Sequence, residues 1–159
     1  MSSDPARLTA LGNQLIAVHI RLRDELDRLL DDLEAGERPR ELRAHCLVFC
    51  SALDRHHTGE DGGLFPVLAA EHPELREVLE LLQRDHDVVA GILRSIEGVL
   101  DRAGADPGPD ATERARRELD GLAAILESHF GYEERRLVTV LNELGADVGL
   151  PGTEAVFTP

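Results

Sequence analysis

The chain has 159 residues, which suits one domain with a proper hydrophobic core. Its formal charge of −14 repels nucleic acid and anionic membrane, and no uncharged apolar run approaches the ~20 residues of a membrane span. Aromatic residues are scarce at 3% and Trp is absent, while Leu and Ala are plentiful, a composition that favours an all-helical fold.

Met1 to Ala10 lacks the apolar core of a signal peptide, so a cytoplasmic location is expected. Asp4 and Pro5 read as the N-cap and first residue of a helix. Its seam is Leu8, Leu11, Leu15, His19, Leu22, Leu26, Leu29 and Leu33, in the steps of three and four that face a bundle core. Gly36 should end it, with Pro39 just beyond. A second helix follows, with the seam Leu42, Cys46, Phe49, Leu53, His56, Glu60 and Leu64. Pro66 lacks an N–H and its ring crowds the carbonyl of Gly62, so a kink or break is expected there, opening a way in beside His56 and Glu60. Cys46 and Cys50, four apart on this helix, suit buried hydrophobes rather than a disulfide.

His72, Pro73 and Glu74 begin the third helix, whose seam is Leu75, Leu79, Leu82, His86, Val89, Leu93, Ile96 and Leu100. Gly104 to Asp110 is a Gly/Pro/Asp loop, and Asp110 with Glu113 resembles a capping box for the fourth helix. That seam is Leu119, Leu122, Leu126, His129, Glu133, Leu137, Val140 or Leu141, and Leu144, with Gly145 as the stop. The expected organisation is an antiparallel up-down four-helix bundle over residues 1–145 and a C-terminal tail, 146–159. Val156 and Phe157 could pin the tail to the bundle or to a neighbouring chain.

The helix pair is duplicated. His56-x-x-x-Glu60 and His129-x-x-x-Glu133 lie 73 apart, and Leu64, Val67 and Leu68 match Leu137, Val140 and Leu141. With His86 laid over His19, an offset of 67, the flanking pairs Leu15/Leu82, Leu22/Val89, Leu26/Leu93 and Leu29/Ile96 are all apolar. His19, His56, Glu60, His86, His129 and Glu133 thus occupy seam positions that normally carry Leu. Burying two carboxylates without partners costs several kcal/mol each, and neutral imidazoles do not offset it; a bound cation does. Four histidines and two carboxylates exceed one tetrahedral site, and mixed imidazole and carboxylate donors with vacant positions suit iron better than manganese or zinc. The residues therefore read as a dinuclear iron centre. The ferritin-like Glu-x-x-His pattern is absent, since no glutamate stands three before any histidine.

His57 and Asp61 also stand four apart. The duplication favours His56 and Glu60, so His57 is expected beside the metals without binding them, or exposed, with ligation as the alternative. His45 and His72 read as solvated or capping. Tyr132 reads as packing, with a hydrogen bond to the site or ligation as the alternatives. Asp85 and Asp87 flank His86 and could orient an imidazole.

The order H…H-x-x-x-E…H…H-x-x-x-E, with Leu64-Phe65-Pro66 after the first pair, resembles the bacterial hemerythrin-like (HHE cation-binding) domains over about residues 8–144. The resemblance implies that His19, His56, Glu60, His86, His129 and Glu133 hold two iron ions, bridged by the glutamates and an oxo or hydroxo group. Oxygen-carrying members use five histidines, two as H-x-x-x-H on the third helix. Here Ala90 follows His86 by four and Leu82 precedes it by four. Without a fifth histidine, two coordination positions remain open rather than one. Hemerythrin-like proteins with this four-histidine ligand set are associated with catalase-like decomposition of hydrogen peroxide, and the resemblance implies that function here. Oxygen or nitric oxide binding or sensing, and iron homeostasis without catalysis, are the alternatives. A monomer or weak homo-dimer is expected.

Overall fold

The structure is a computed structural model that describes residues 10–36, 39–105, 109–144 and 154–157. Among these, all regular structure is helical. Helix α1 spans Leu11–Glu34 and α2 spans Pro39–Gly59. A π-helical turn, Glu60–Leu64, leads into α3, Phe65–Glu71. After a 3-10 turn at Pro73–Leu75 come α4, Arg76–Ala105, and α5, Pro109–Glu143. A short α6 covers Glu154–Phe157.

The four long helices close a ring in which α1 packs on α2 and α5, and α4 packs on the same two. Rising numbers along α1 meet falling numbers along α5: Gly12 bonds Asn142, His19 bonds Glu134 and Arg23 bonds Glu127. The seams point inward as their spacing requires. Every seam residue of α2 and α4 is buried, as are Leu15, His19, Leu22, Leu26, Leu29 and Leu33 on α1. Along each long helix the apolar residues divide into two layers. Leu22, Leu53, Val89 and Leu126 belong to one, and Leu15, Leu64, Leu82 and Leu137 to the other. The histidines and glutamates lie between them.

Gly36 takes a φ of 76°, the left-handed conformation that a residue without Cβ adopts freely, and α1 ends just before it. The expected break at Pro66 does not occur. Instead the Phe65 N–H donates to the Glu60 carbonyl, five residues back, and the helix continues. A widened turn resolves the conflict between the proline ring and the Gly62 carbonyl without ending the helix. Asp110 stands inside the first turn of α5 rather than capping it, and Glu113 pairs with Arg116 at 2.9 Å. Helix α4 runs to Ala105, so the loop is shorter than its composition suggests. Asp4, Pro5, Leu8 and Gly145 lie outside the described residues.

Val156 on α6 is fully buried against the layer that holds Leu15 and Leu64, so this segment docks on the bundle. Cys46 and Cys50 are buried with their sulfurs 3.5 Å apart, within the other layer.

Where α1 meets α5, Gly12 donates its N–H to Asn142 Oδ1 at 2.9 Å. A Cβ there would come within 2.5 Å of that oxygen and of the Val138 carbonyl. Gly12→Ala is expected to lower stability by about 1–3 kcal/mol, the range of an overpacked contact that backbone must absorb. Urea unfolding checks this.

Candidate metal centre

Among the described residues, seven polar or charged side chains are buried, none more than 5% exposed, and all seven meet between the two apolar layers. Six are the seam residues His19, His56, Glu60, His86, His129 and Glu133. The seventh is His57, which the spacing argument set aside.

Two groups form. His19, His56, Glu60 and Glu133 offer donor atoms within 4.8 Å of one another, and so do His57, His86 and His129. In the first, the Nε2 atoms of His19 and His56 face each other at 3.2 Å. In the second, Nε2 of His86 faces Nε2 of His129, also at 3.2 Å. The glutamates span both groups. Glu60 brings Oε1 to 2.5 Å from His56 Nε2 and Oε2 to 3.8 Å from His86 Nε2. Glu133 Oε2 lies 3.8 Å from His19 Nε2 and 3.4 Å from His129 Nε2. None of these contacts has hydrogen-bond geometry, and all four carboxylate oxygens lack a partner, as does His57 Nε2.

The outer nitrogens explain why the inner ones converge. His19 Nδ1 pairs with Glu134 at 2.9 Å, and Arg23 holds Glu134 in turn at 3.1 Å. His86 Nδ1 pairs with Asp61 at 2.7 Å and His129 Nδ1 with Asp85 at 3.0 Å. His56 Nδ1 donates to the Val156 carbonyl at 2.9 Å. With each Nδ1–H engaged outward, Nε2 keeps its lone pair pointing in, the tautomer a metal takes.

These outer contacts repeat with the sequence. Asp61 and Glu134 stand 73 apart, as His56 and His129 do, and each binds the histidine of a neighbouring helix. The match fails at Asp85, whose counterpart 67 residues earlier is Val18. Valine offers no side-chain acceptor, and the carbonyl of Val156 takes that part.

Electrostatics show what the metal-free site lacks. Burial pushes the carboxyls of Glu60 and Glu133 above their usual range, disfavouring the charged form. Burial pulls His56 down to about 4, with Glu133 opposing, and takes His57 well below the usual 6.5, helped by the other histidines. His129 departs from them: burial would lower it, but Glu133 and Asp85 outweigh that and raise it to about 9. The cavity thus holds mostly neutral imidazoles around two carboxyls that resist ionising. A cation reverses this, because it favours both carboxylates and takes up every free lone pair.

The donor atoms fall into two groups, each of which could hold a metal ion. Two imidazole nitrogens bound at right angles at ~2.1 Å stand about 3 Å apart, close to the observed Nε2 separations. Glu60 approaches the two groups through different oxygens, and Glu133 approaches both through Oε2. A family model for the hemerythrin HHE cation-binding domain matches residues 11–141. The chain belongs to that family. Comparison with curated proteins and with solved structures returned no match. Family and cluster together mark this hemerythrin-like chain as a metal-binding protein. Among its described residues no helix is long and apolar enough to cross a membrane.

The remaining candidates divide. Asp85 does orient an imidazole, but it is that of His129 rather than the adjacent His86; Asp87 is exposed and bonds neither. Glu134 and the Val156 carbonyl escaped the sequence reading, although Glu134 is the repeat of Asp61. Tyr132 is half-buried against the layer that holds Leu15 and Leu64, with Arg136 over its ring. His45 ties α2 to α1 through Asp32 and Glu25, and His72 caps α3 and meets Glu74.

Two outcomes follow. Glu60 ionises first in the unfolded chain, so at neutral pH its burial destabilises the metal-free fold, increasingly as pH rises above about 4.5. Glu60→Gln is therefore expected to stabilise the chelator-treated protein by about 1–3 kcal/mol at neutral pH, while weakening metal binding. Thermal unfolding with and without metal reads both. Ending the chain before α6 removes the acceptor of His56 Nδ1 and should weaken metal affinity by about 10–100-fold, measured by chelator competition.

Proposed function

We propose that this hemerythrin-like chain is a non-heme di-iron protein that decomposes hydrogen peroxide. The observation that carries the reading is the pair of buried glutamates, unpartnered within the protein and each reaching toward both imidazole groups. In this reading His19, His56, Glu60, His86, His129 and Glu133 are ligands, and the glutamates bridge. The bundle is antiparallel and duplicated, so that each half contributes one bridge. Imidazole and carboxylate donors with a position left open suit iron among the common metals.

When bound, the iron pair supplies Lewis acidity and the two-electron capacity that peroxide chemistry requires. Overall, two peroxides give one dioxygen and two waters. The chain's own residues do the rest. Glu134, Asp61, Asp85 and the Val156 carbonyl fix the imidazole rings. The leucine layers above and below keep bulk water from the core. Glu134 is held between His19 Nδ1 and the half-buried Arg23, which fixes the His19 ring and favours the ionised carboxylate that orients it.

A second reading, reversible binding of oxygen or nitric oxide, gains from one observation. His57 is buried with the other four histidines, so five imidazoles are present even though the third helix carries only one.

The iron-loaded protein is expected to evolve dioxygen from hydrogen peroxide. His129→Ala should lose iron, by about 10–100-fold in affinity or more, and turnover with it. A spectrum that reverses on deoxygenation with no loss of peroxide would favour the second reading. Full iron content in His129→Ala would contradict the ligand assignment.

A further inference from the structure

The correspondence between the two halves fails a second time, and here the substitution is chemical. His57 and Phe130 stand 73 apart, like His56 and His129. Their positions match in space as well. Phe130 stacks on the His19 ring at 4.0 Å and 16°, and His57 stacks on the His86 ring at 3.9 Å and 13°. The rings beneath them, His19 and His86, are themselves counterparts. One half therefore carries a hydrocarbon ring where the other carries an imidazole.

Packing alone does not account for the imidazole. Phe130 shows that the matching pocket accepts a fully buried phenyl ring. His57 Nε2 is buried without a hydrogen-bond partner, a desolvation cost that phenylalanine would avoid. The nitrogen is not stranded at random, since a donor atom of His57 lies within 4.8 Å of donors from His86 and His129.

The position of α2 lets His57 reach that far. Helix α2 lies between α1 and α4, and consecutive helical residues point about 100° apart. His56 turns toward His19 on α1, and His57 turns toward His86 on α4. The expectation that His57 does not bind the metals rests on the duplication, which matches His56 and Glu60 to His129 and Glu133.

We propose that His57 is a metal ligand through Nε2, the fifth imidazole of the site, and that the two metals are unequal. On this assignment, which rests on the two-iron reading above, one metal takes His57, His86 and His129. The other takes His19 and His56, with Phe130 standing where a sixth imidazole would be. Five imidazoles, four bonds from the bridging glutamates and two from a bridging oxygen leave one of twelve positions. That position belongs to the metal on the His19 and His56 side, so an added ligand binds terminally to one metal. A cleft of about 320 Å³ between α1 and α2 reaches His56, with Arg21, Arg28 and Arg55 beside Asp24 and Glu25 in its lining, and offers a small ligand a way toward that side.

Azide is the probe, added to the iron-loaded protein and followed by its iron charge-transfer absorption. Wild type is expected to bind one azide per chain. His57→Phe gives that half the ring the other already holds, and should bind two azides or retain only one iron. His57→Ala with added imidazole should regain the wild-type azide stoichiometry and spectrum. Two azides on the wild type would overturn the assignment. So would His57→Phe with both irons and an unchanged azide spectrum. A wild type that takes up no iron would instead defeat the two-iron reading itself, so the two failures are distinguishable.

Discussion

Two carboxylates without hydrogen bonds, fully removed from water, set the terms for everything around them. Isolated ions in such a place cost several kcal/mol each even after relaxation. The protein does not answer with lysine or arginine. It answers with five imidazoles, whose outer nitrogens are mostly bound so that the inner ones converge as lone-pair donors. A core built in this way is poor at holding itself together and well suited to holding cations. The two leucine-rich layers serve the same end, since they supply the burial that folds the bundle while leaving the middle layer free for polar groups. A metal held by buried, deprotonated ligands couples its binding to folding, so one that occupies this site would add its affinity to stability.

The halves correspond closely enough that their departures are informative. Asp61 and Glu134 do the same work on His86 and His19. Asp85 has only Val18 as its counterpart, and the carbonyl of Val156 fills the gap. This gives the α6 segment a part in orienting His56, beyond covering the end of the bundle. The exchange of Phe130 for His57 acts on the inner layer, where it makes the two sides chemically different. Both departures separate the His19 and His56 side from its partner. One leaves His56 with a neutral acceptor in place of a carboxylate, and the other places a phenyl ring where an imidazole would stand.

Much of this was legible in the sequence because helical periodicity is strict. The seams of all four long helices, the six polar positions within them and the end of α1 at Gly36 follow from spacing and side-chain chemistry. Pro66 was harder, because its missing N–H forbids an ordinary turn but does not say whether the helix stops or widens. His57 was set aside because the repeat matches His56 and Glu60 to His129 and Glu133. On a helix with neighbours on two sides, consecutive residues can each face a partner. The Val156 carbonyl is a backbone atom of a distant segment, and no side-chain pattern announces it. Glu134 could have been found by carrying the repeat one residue past Glu133, where Asp61 already stood in the first copy.

The central claim is that cations neutralise this layer. Equilibrium titration of chelator-treated protein with ferrous iron, followed by thermal unfolding under exclusion of oxygen, tests it most directly. The account requires the transition temperature to climb with added iron and to level off at two per chain. A folded protein whose unfolding temperature ignores iron, and which carries none after dialysis, would contradict it.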